Sequence, residues 1–241
     1  MTQNAIILGA GTIQGLGGAI ARRFAREGLH VFVSGRTLSK VETVAQAIRD
    51  DGGQATAIAC DVTSPSDQDA LFTAAEAAGP IAAVLYNAGN NALIPFEKLT
   101  AEQFEDVWRV GCLGAFHTAK RALPTLERQG RGTLVFTGAS GSLRGKPNFA
   151  HFASAKGALR NLAQSLAREY GPRGVHVGHI IIDGVIDGER AREGFGEYLA
   201  SLGEDGALQP GAIAEAFWTL HAQPRSAWSH ELDLRPFKEA W

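Results

Sequence analysis

Short apolar runs alternate along the whole chain with longer segments whose apolar residues recur at helical spacing, a pattern that predicts repeated strand–helix units. Ala5–Gly9 reads as a buried strand, and Gly15–Glu27 follows as a helix with Leu16, Ile20 and Phe24 on one face. His30–Ser34 predicts a second strand, and Leu38–Asp50 a helix stopped at Gly52 and Gly53. A third strand is expected at Ala55–Cys60, a helix capped by Ser64 or Ser66 after it, and a fourth strand at Ile81–Tyr86. Thr100 opens a long helix reaching Gln129, with a glycine pair midway and Pro124 near its end. Then come a strand at Gly132–Thr137, a helix at Asn148–Tyr170 and a strand at Val175–Ile182. Helical segments at Glu189–Ser201 and Ala212–His221 precede a closing strand at Glu231–Arg235.

Strands and helices at this spacing form βαβ units, and right-handed crossovers put helices on both faces of a parallel sheet. Runs such as AIILG and IAAVLY are apolar throughout, as strands covered on both sides must be. No Pro/Ser/Gly linker, charge block or internal repeat divides the chain. The expectation is an α/β fold: one Rossmann-type domain over residues 1–241, a doubly wound parallel sheet of about seven strands.

Composition narrows the function classes. A chain of 241 residues, 45% hydrophobic, has ample material for a core. A net charge of −2 argues against a nucleic-acid or anionic-membrane partner. With only Cys60 and Cys112 there is no disulfide framework and no zinc pattern, so no metal is expected. The first strand begins within a few residues of Met1 and no apolar run approaches the roughly 18 residues of a membrane span. A cytoplasmic protein acting on a small molecule is the expectation. Glycine is the outlier: 29 residues, well above the usual ~7%.

Part of that excess lies directly after the first strand, in Gly9-Ala-Gly11-Thr12-Ile-Gln-Gly15-Leu16-Gly17. At the carboxyl end of a first strand and the start of a helix, such a run lets a pyrophosphate approach backbone N–H groups. Just past the second strand stands Arg36, with no acid at that strand end. An acid would suit a free ribose 2′-hydroxyl and an arginine a 2′-phosphate, so NADP(H) is favoured over NAD(H).

With these motifs in order the chain resembles the short-chain dehydrogenases/reductases from about Ala5 to Arg235. The glycine turn resembles TGxxxGxG, with Leu8 in the Thr place and a loop two residues longer. Cys60-Asp61-Val62 matches the family's Asp-Val, which implies adenine contact at Asp61 and Val62. Asn87-Ala88-Gly89 matches NAG, a backbone-shaping motif beside the ribose. The resemblance implies that Lys156 bonds the nicotinamide ribose, and that Gly184 and Ile186 also contact the cofactor. It implies a homodimer or homotetramer through the long helices, with Trp108 and Cys112 as interface or core residues. The segment SAWSHELDLRPFKEAW lacks the family's glycine-rich tail, which favours the dimer.

The chemical end departs from the family. YxxxK reads Phe152-Ala-Ser-Ala-Lys156; the Ser thirteen residues earlier is Ala139; the Asn of the long helix is Gly111. Pro-Gly after the sixth strand is Asp183-Gly184, and the following Thr is Gly188. In the family the tyrosine gives the substrate oxygen its proton. Phenylalanine has no proton to give, and Ala139 cannot hold a developing alkoxide. Lys156, Ser140 and Asp183 are the catalytic candidates that remain. Ser140 is one place from the expected serine, and Asp183 lies at the end of the sixth strand, where it either acts in catalysis or caps a turn. His151 projects about 100° from Phe152 on a helix and is expected at the surface or in a subunit contact. Phe149, Phe152, Ala153 and Leu159 predict packing and an apolar pocket. Arg190 and Arg192 mark an anion contact or a solvated face on the helices around 189–221, which in the family cover the substrate.

Two function classes fit. One is an NAD(P)-dependent oxidoreductase with an atypical site, acting where the product needs no protein acid, as with an activated C=C bond or an iminium carbon. The other is a dinucleotide-binding sensor or scaffold without turnover. The retained lid helices favour the first.

Overall fold

In the computed structural model, which describes residues 2–89 and 91–239, the seven strands form one parallel sheet. They are β1 (Asn4–Leu8), β2 (His30–Gly35), β3 (Gln54–Ala59), β4 (Ile81–Tyr86), β5 (Thr133–Thr137), β6 (His176–Ile182) and β7 (Glu231–Leu234). Their order is β3-β2-β1-β4-β5-β6-β7, and every neighbouring pair is parallel. The order turns back at β1, so β1 and β4 flank the crevice at their carboxyl ends where such sheets bind ligands.

The helices are α1 (Leu16–Arg26), α2 (Leu38–Asp50), α3 (Pro65–Ala78), α4 (Ala101–Trp108), α5 (Gly114–Gln129), α6 (Ala150–Tyr170), α7 (Glu189–Ser201) and α8 (Pro210–His221). Successive strand residues point to opposite faces, so one strand serves two cores. Ala5 and Ile7 of β1 join Ile20 and Phe24 of α1, Val44 and Ile48 of α2 and Phe217 of α8. Ile6 and Leu8 join Phe72 of α3, Leu123 and Leu126 of α5 and Leu159 of α6. No helix among the described residues is long and apolar enough to cross a membrane.

The expected long fourth helix differs in one respect. Between α4 and α5 the chain makes a π-turn at Arg109–Leu113. The glycine pair explains it. A Cβ on Gly111 would sit 2.9 Å from the Cβ of Ala155, and one on Gly114 would sit 2.5 Å from the Tyr86 hydroxyl. The backbone therefore comes close to both α6 and β4 here. The π-turn leaves Val110 O without its helical donor, and the buried Tyr86 hydroxyl donates to it.

Candidate active site and dinucleotide cleft

The turn after β1 is shaped by backbone-to-backbone contact. Gly9 has φ +83°, and a Cβ there would lie 2.5 Å from Ala88 N. A Cβ on Gly17 would lie 2.4 Å from Gly9 O, and one on Gly18 2.3 Å from Thr12 O. Gly18, which the motif alone does not single out, is thus as constrained as Gly17. Thr12 O accepts from Gly15 N at 3.0 Å, folding the two extra residues into a closed turn. Gly15 caps α1 without a side-chain bond, and the first turn of α1 carries no acid. A helix N-terminus without a side-chain cap leaves backbone N–H groups available to an anion, and Gly11 has open space where a Cβ would stand. Leu16 is buried beneath it, whereas Gly11 is exposed at the rim.

Neighbouring strand ends extend the cleft. Ser34 O accepts from Gly9 N and Ala10 N, tying the turn to β2. One residue past β2, Arg36 is exposed and has no hydrogen-bond or ion-pair partner among the described residues. At the end of β3, Asp61 Oδ1 accepts from Thr63 N and Thr63 Oγ1 at 2.9 and 2.8 Å, and Val62 is buried beside it. Asn87 joins three strand ends. Its Nδ2 donates to Gly9 O at 2.9 Å, its Oδ1 accepts from Thr137 Oγ1 at 3.1 Å, and its N–H reaches Leu8 O.

Lys156 reaches this junction from α6. Its Nζ donates to Thr137 O at 2.7 Å and lies 3.7 Å from where a Cβ of Gly89 would stand. Burial lowers its pKa to about 8. Phe152, one turn earlier, sets its ring 5.8 Å from that ammonium and packs against Gly141, whose Cβ would lie 3.1 Å from the ring. Phe149 meets Phe152 edge to face at 6.5 Å. Leu159 of the same stripe belongs to the core.

The loop after β5 is a short 3-10 turn, Ser140–Ser142. Ser140 accepts with its carbonyl from Leu143 N and Arg144 N, and its hydroxyl has no partner among the described residues. Ser142 does the anchoring, a role sequence reading missed. Its Oγ accepts from Ala139 N at 3.2 Å and lies 3.5 Å from His179 Nε2. His179 Nδ1 lies 2.9 Å from Glu231 Oε2, and Arg160 Nε and Nη2 donate to Glu231 at 2.7 Å each. Burial pushes His179 down to about 4, and Arg160 foremost holds Glu231 at about 2. The imidazole is therefore neutral, with Nδ1–H donating to Glu231 and Nε2 left to accept from Ser142. Only the 179–231 register of β6 and β7 reveals this chain of contacts.

Asp183 is 1% exposed, and both carboxylate oxygens accept from Arg144 Nη2 at 2.9 Å. It serves the fold as a charge anchor between the β5 loop and the end of β6. Gly184 packs on Pro236, and Ile186 bridges to Leu208. Gly188 faces the lengthened turn, where its Cβ would lie 3.3 Å from Gln14 O. Arg192 pairs with Asp187, and Arg190 donates to Asn91 O, linking α7 to the loop after β4. His151 is not at the surface as expected: it is fully buried, and neither ring nitrogen has a partner. Cys112 is buried, whereas Trp108 is half-buried. No group of three or more His, Cys, Asp or Glu among the described residues is arranged to hold a metal ion.

The family model "short chain dehydrogenase" matches residues 3–194. Oxidoreductase asL5 of Sarocladium schorii is 33% identical over 196 residues, covering 81% of this chain and 76% of the relative. A short-chain dehydrogenase from Rhodopseudomonas palustris superposes with TM-score 0.83 at 34% identity, covering 98% of this chain and 99% of that one. An alcohol dehydrogenase from the archaeon Thermococcus sibiricus, complexed with 5-hydroxy-NADP, superposes with TM-score 0.84 at 26% identity, covering 100% of this chain and 99% of that one. A glycine cradle at the β1–α1 turn, Asn87 at the sheet switch point and a buried Lys156 beside it accompany these matches, and the chain belongs to the short-chain dehydrogenase family of NAD(P)-dependent oxidoreductases.

Proposed function

We propose that this chain is an NADP(H)-dependent oxidoreductase that transfers hydride to or from a small organic substrate without a protein hydroxyl at the position of Phe152. The observation that carries the reading is Lys156: buried, bonded to Thr137 O and facing Gly89, it keeps the geometry of a ribose ligand. When bound, the dinucleotide supplies or accepts the hydride. Gly9, Gly11, Thr12, Gly15, Leu16 and Gly17 hold its pyrophosphate; Arg36 takes the 2′-phosphate; Asp61 and Val62 border the adenine. Asn87, Ala88, Gly89 and Lys156 orient the nicotinamide ribose, and Gly184 and Ile186 border the ring. Phe149 and Phe152 exclude water from the reacting carbon. Ser140 keeps a free hydroxyl on the substrate side, and Asp183 positions the loop through Arg144.

A site without an acid at Phe152 suits substrates whose product draws its proton from solvent, such as activated C=C bonds or iminium carbons. The test is NADPH binding by fluorescence, followed by NADPH oxidation over a panel of ketones, enones and imines. Oxidation that is lost in Lys156→Ala supports the reading. NADPH binding with no oxidation of any panel member overturns it in favour of a dinucleotide sensor, the reading motivated by the joint absence of Tyr, Ser and Asn side chains. We also propose a homodimer through α4, α5 and α6; α4 and α5 leave Phe104 37% and Phe116 41% exposed. Sedimentation checks it, and a monomer at micromolar concentration refutes it. Two buried free thiols, Cys60 and Cys112, suit a cytoplasmic location.

A further inference from the structure

The loop between Ser140 and α6 carries a charged side chain that the hydride chemistry above does not use. Arg144 N bonds to Ser140 O at 3.1 Å, so Arg144 rises directly from the 3-10 turn against which Phe152 packs. Its Nη2 spans both oxygens of Asp183 at 2.9 Å. Behind Asp183 stands Arg235, 3.7 Å from Oδ2 and itself paired with Asp233. The pair is asymmetric: the side chain of Asp183 is 1% exposed and that of Arg144 is 34% exposed. The outer edge of the guanidinium is therefore open to solvent while its inner nitrogen is held. Here the buried carboxylate fixes one nitrogen of the guanidinium, and Nε and Nη1 donate to nothing among the described residues.

The surroundings define what those donors would meet. Asp183 is the one buried carboxylate among the described residues, and Lys156 is the buried cation. The loop and the start of α6 carry apolar side chains: Leu143 is 41% exposed, and Phe149, the N-cap of α6, meets Phe152 edge to face. With Nη2 taken by Asp183, Nε and Nη1 are the donors left for an incoming carboxylate.

We propose that Arg144 is a specificity-determining residue that binds the carboxylate of an apolar organic acid, with Asp183 as its positioning residue. The proposal rests on the oxidoreductase reading for the identity of this cleft as a substrate site, and its test is an equilibrium one that needs no turnover. Cinnamate and methyl cinnamate serve as probes, titrated calorimetrically with and without saturating NADPH. The wild-type protein should bind cinnamate at least tenfold more tightly than the ester. Arg144→Gln should bring cinnamate down to the affinity of the ester while leaving the ester unchanged, and Arg144→Lys should retain part of the preference.

Because Arg144→Gln removes the nearer cation from a buried carboxylate, the double variant Arg144→Gln/Asp183→Asn is measured beside it. It should lose the same preference while melting at a higher temperature than Arg144→Gln. Equal affinities for the two probes in the wild type, absence of binding included, overturn the proposal; so does a preference that persists in the double variant. Arg144-dependent cinnamate binding by a protein that fails to oxidise NADPH with every member of the substrate panel would uphold this inference and sink the oxidoreductase reading. NADPH turnover without carboxylate preference would do the reverse.

Discussion

Lowering the pH from 6.5 to 4 should cost the folded protein about 3 kcal/mol at His179 alone. Burial holds its pKa at about 4 in the fold, against 6.5 for an exposed imidazole. Between those values the unfolded chain binds a proton that the folded chain refuses, so stability present above pH 6.5 drains away as the pH falls towards 4. The gap of about 2.5 pK units, at about 1.4 kcal/mol each, sets the magnitude. His221, also lowered to about 4 by burial, loses stability in the same window. Glu231 has its folded pKa depressed from 4.5 to about 2, chiefly by Arg160, and adds a second loss that starts below pH 4.5. Urea denaturation at fixed protein concentration, in steps from pH 7.5 to 4, measures the slope. His179→Gln keeps an amide to bond Glu231 and Ser142 but cannot titrate, and it should reduce the loss between pH 6.5 and 4 by about 3 kcal/mol. An unchanged slope in His179→Gln would refute the assignment of a neutral, buried bridge.

Three further outcomes follow from distances in the cleft. Gly17→Ala puts a Cβ 2.4 Å from Gly9 O, a backbone atom that cannot move aside, and NADPH fluorescence titration should record affinity reduced at least tenfold. Arg36→Gln should weaken NADPH at least tenfold and leave NADH unchanged; equal losses for both cofactors would remove Arg36 from the 2′-phosphate site. Gly111→Asn, which restores the family's side chain, drives a Cβ to 2.9 Å from Ala155 Cβ, and thermal or urea unfolding should register about 1–3 kcal/mol of destabilisation.

The strand and helix positions were legible because the signals were long and mutually consistent. IAAVLY is apolar at every position, and β4 occupies Ile81–Tyr86, the predicted span. The π-turn was not legible, since one extra residue in a helix hardly disturbs the apolar spacing over two turns, and a glycine pair reads equally well as a weak helix interior. The cofactor motifs could be read because they are local: each lies at one strand end, within a few residues. The Arg144–Asp183 contact joins residues 39 apart through two strand ends, and nothing local marks either side chain as the other's partner. His151 was misjudged for a related reason. Helical projection sets its direction relative to Phe152 but does not say what lies there, and in the fold the side chain is fully buried.

Four of the positions where the sequence resemblance implies a departure at the chemical end are built into a contact. Where the relay Asn would stand, Gly111 admits Ala155, and the freed carbonyl of the π-turn is capped by Tyr86. Where the tyrosine would stand, the Phe152 ring packs on Gly141 and against Phe149. Asp183, in the proline position, binds Arg144, and Gly188, in the threonine position, faces the backbone of the lengthened turn at Gln14. A site that had merely lost its chemistry would carry voids or stranded polar atoms where side chains had been removed; among the described residues one such place remains, the partnerless ring nitrogens of buried His151, the neighbour of Phe152. The other positions are filled: Ala155 lies against Gly111, the Phe152 ring against Gly141, and the Asp183 carboxylate holds a guanidinium. On that balance the packing supports the working cleft proposed above over an abandoned one.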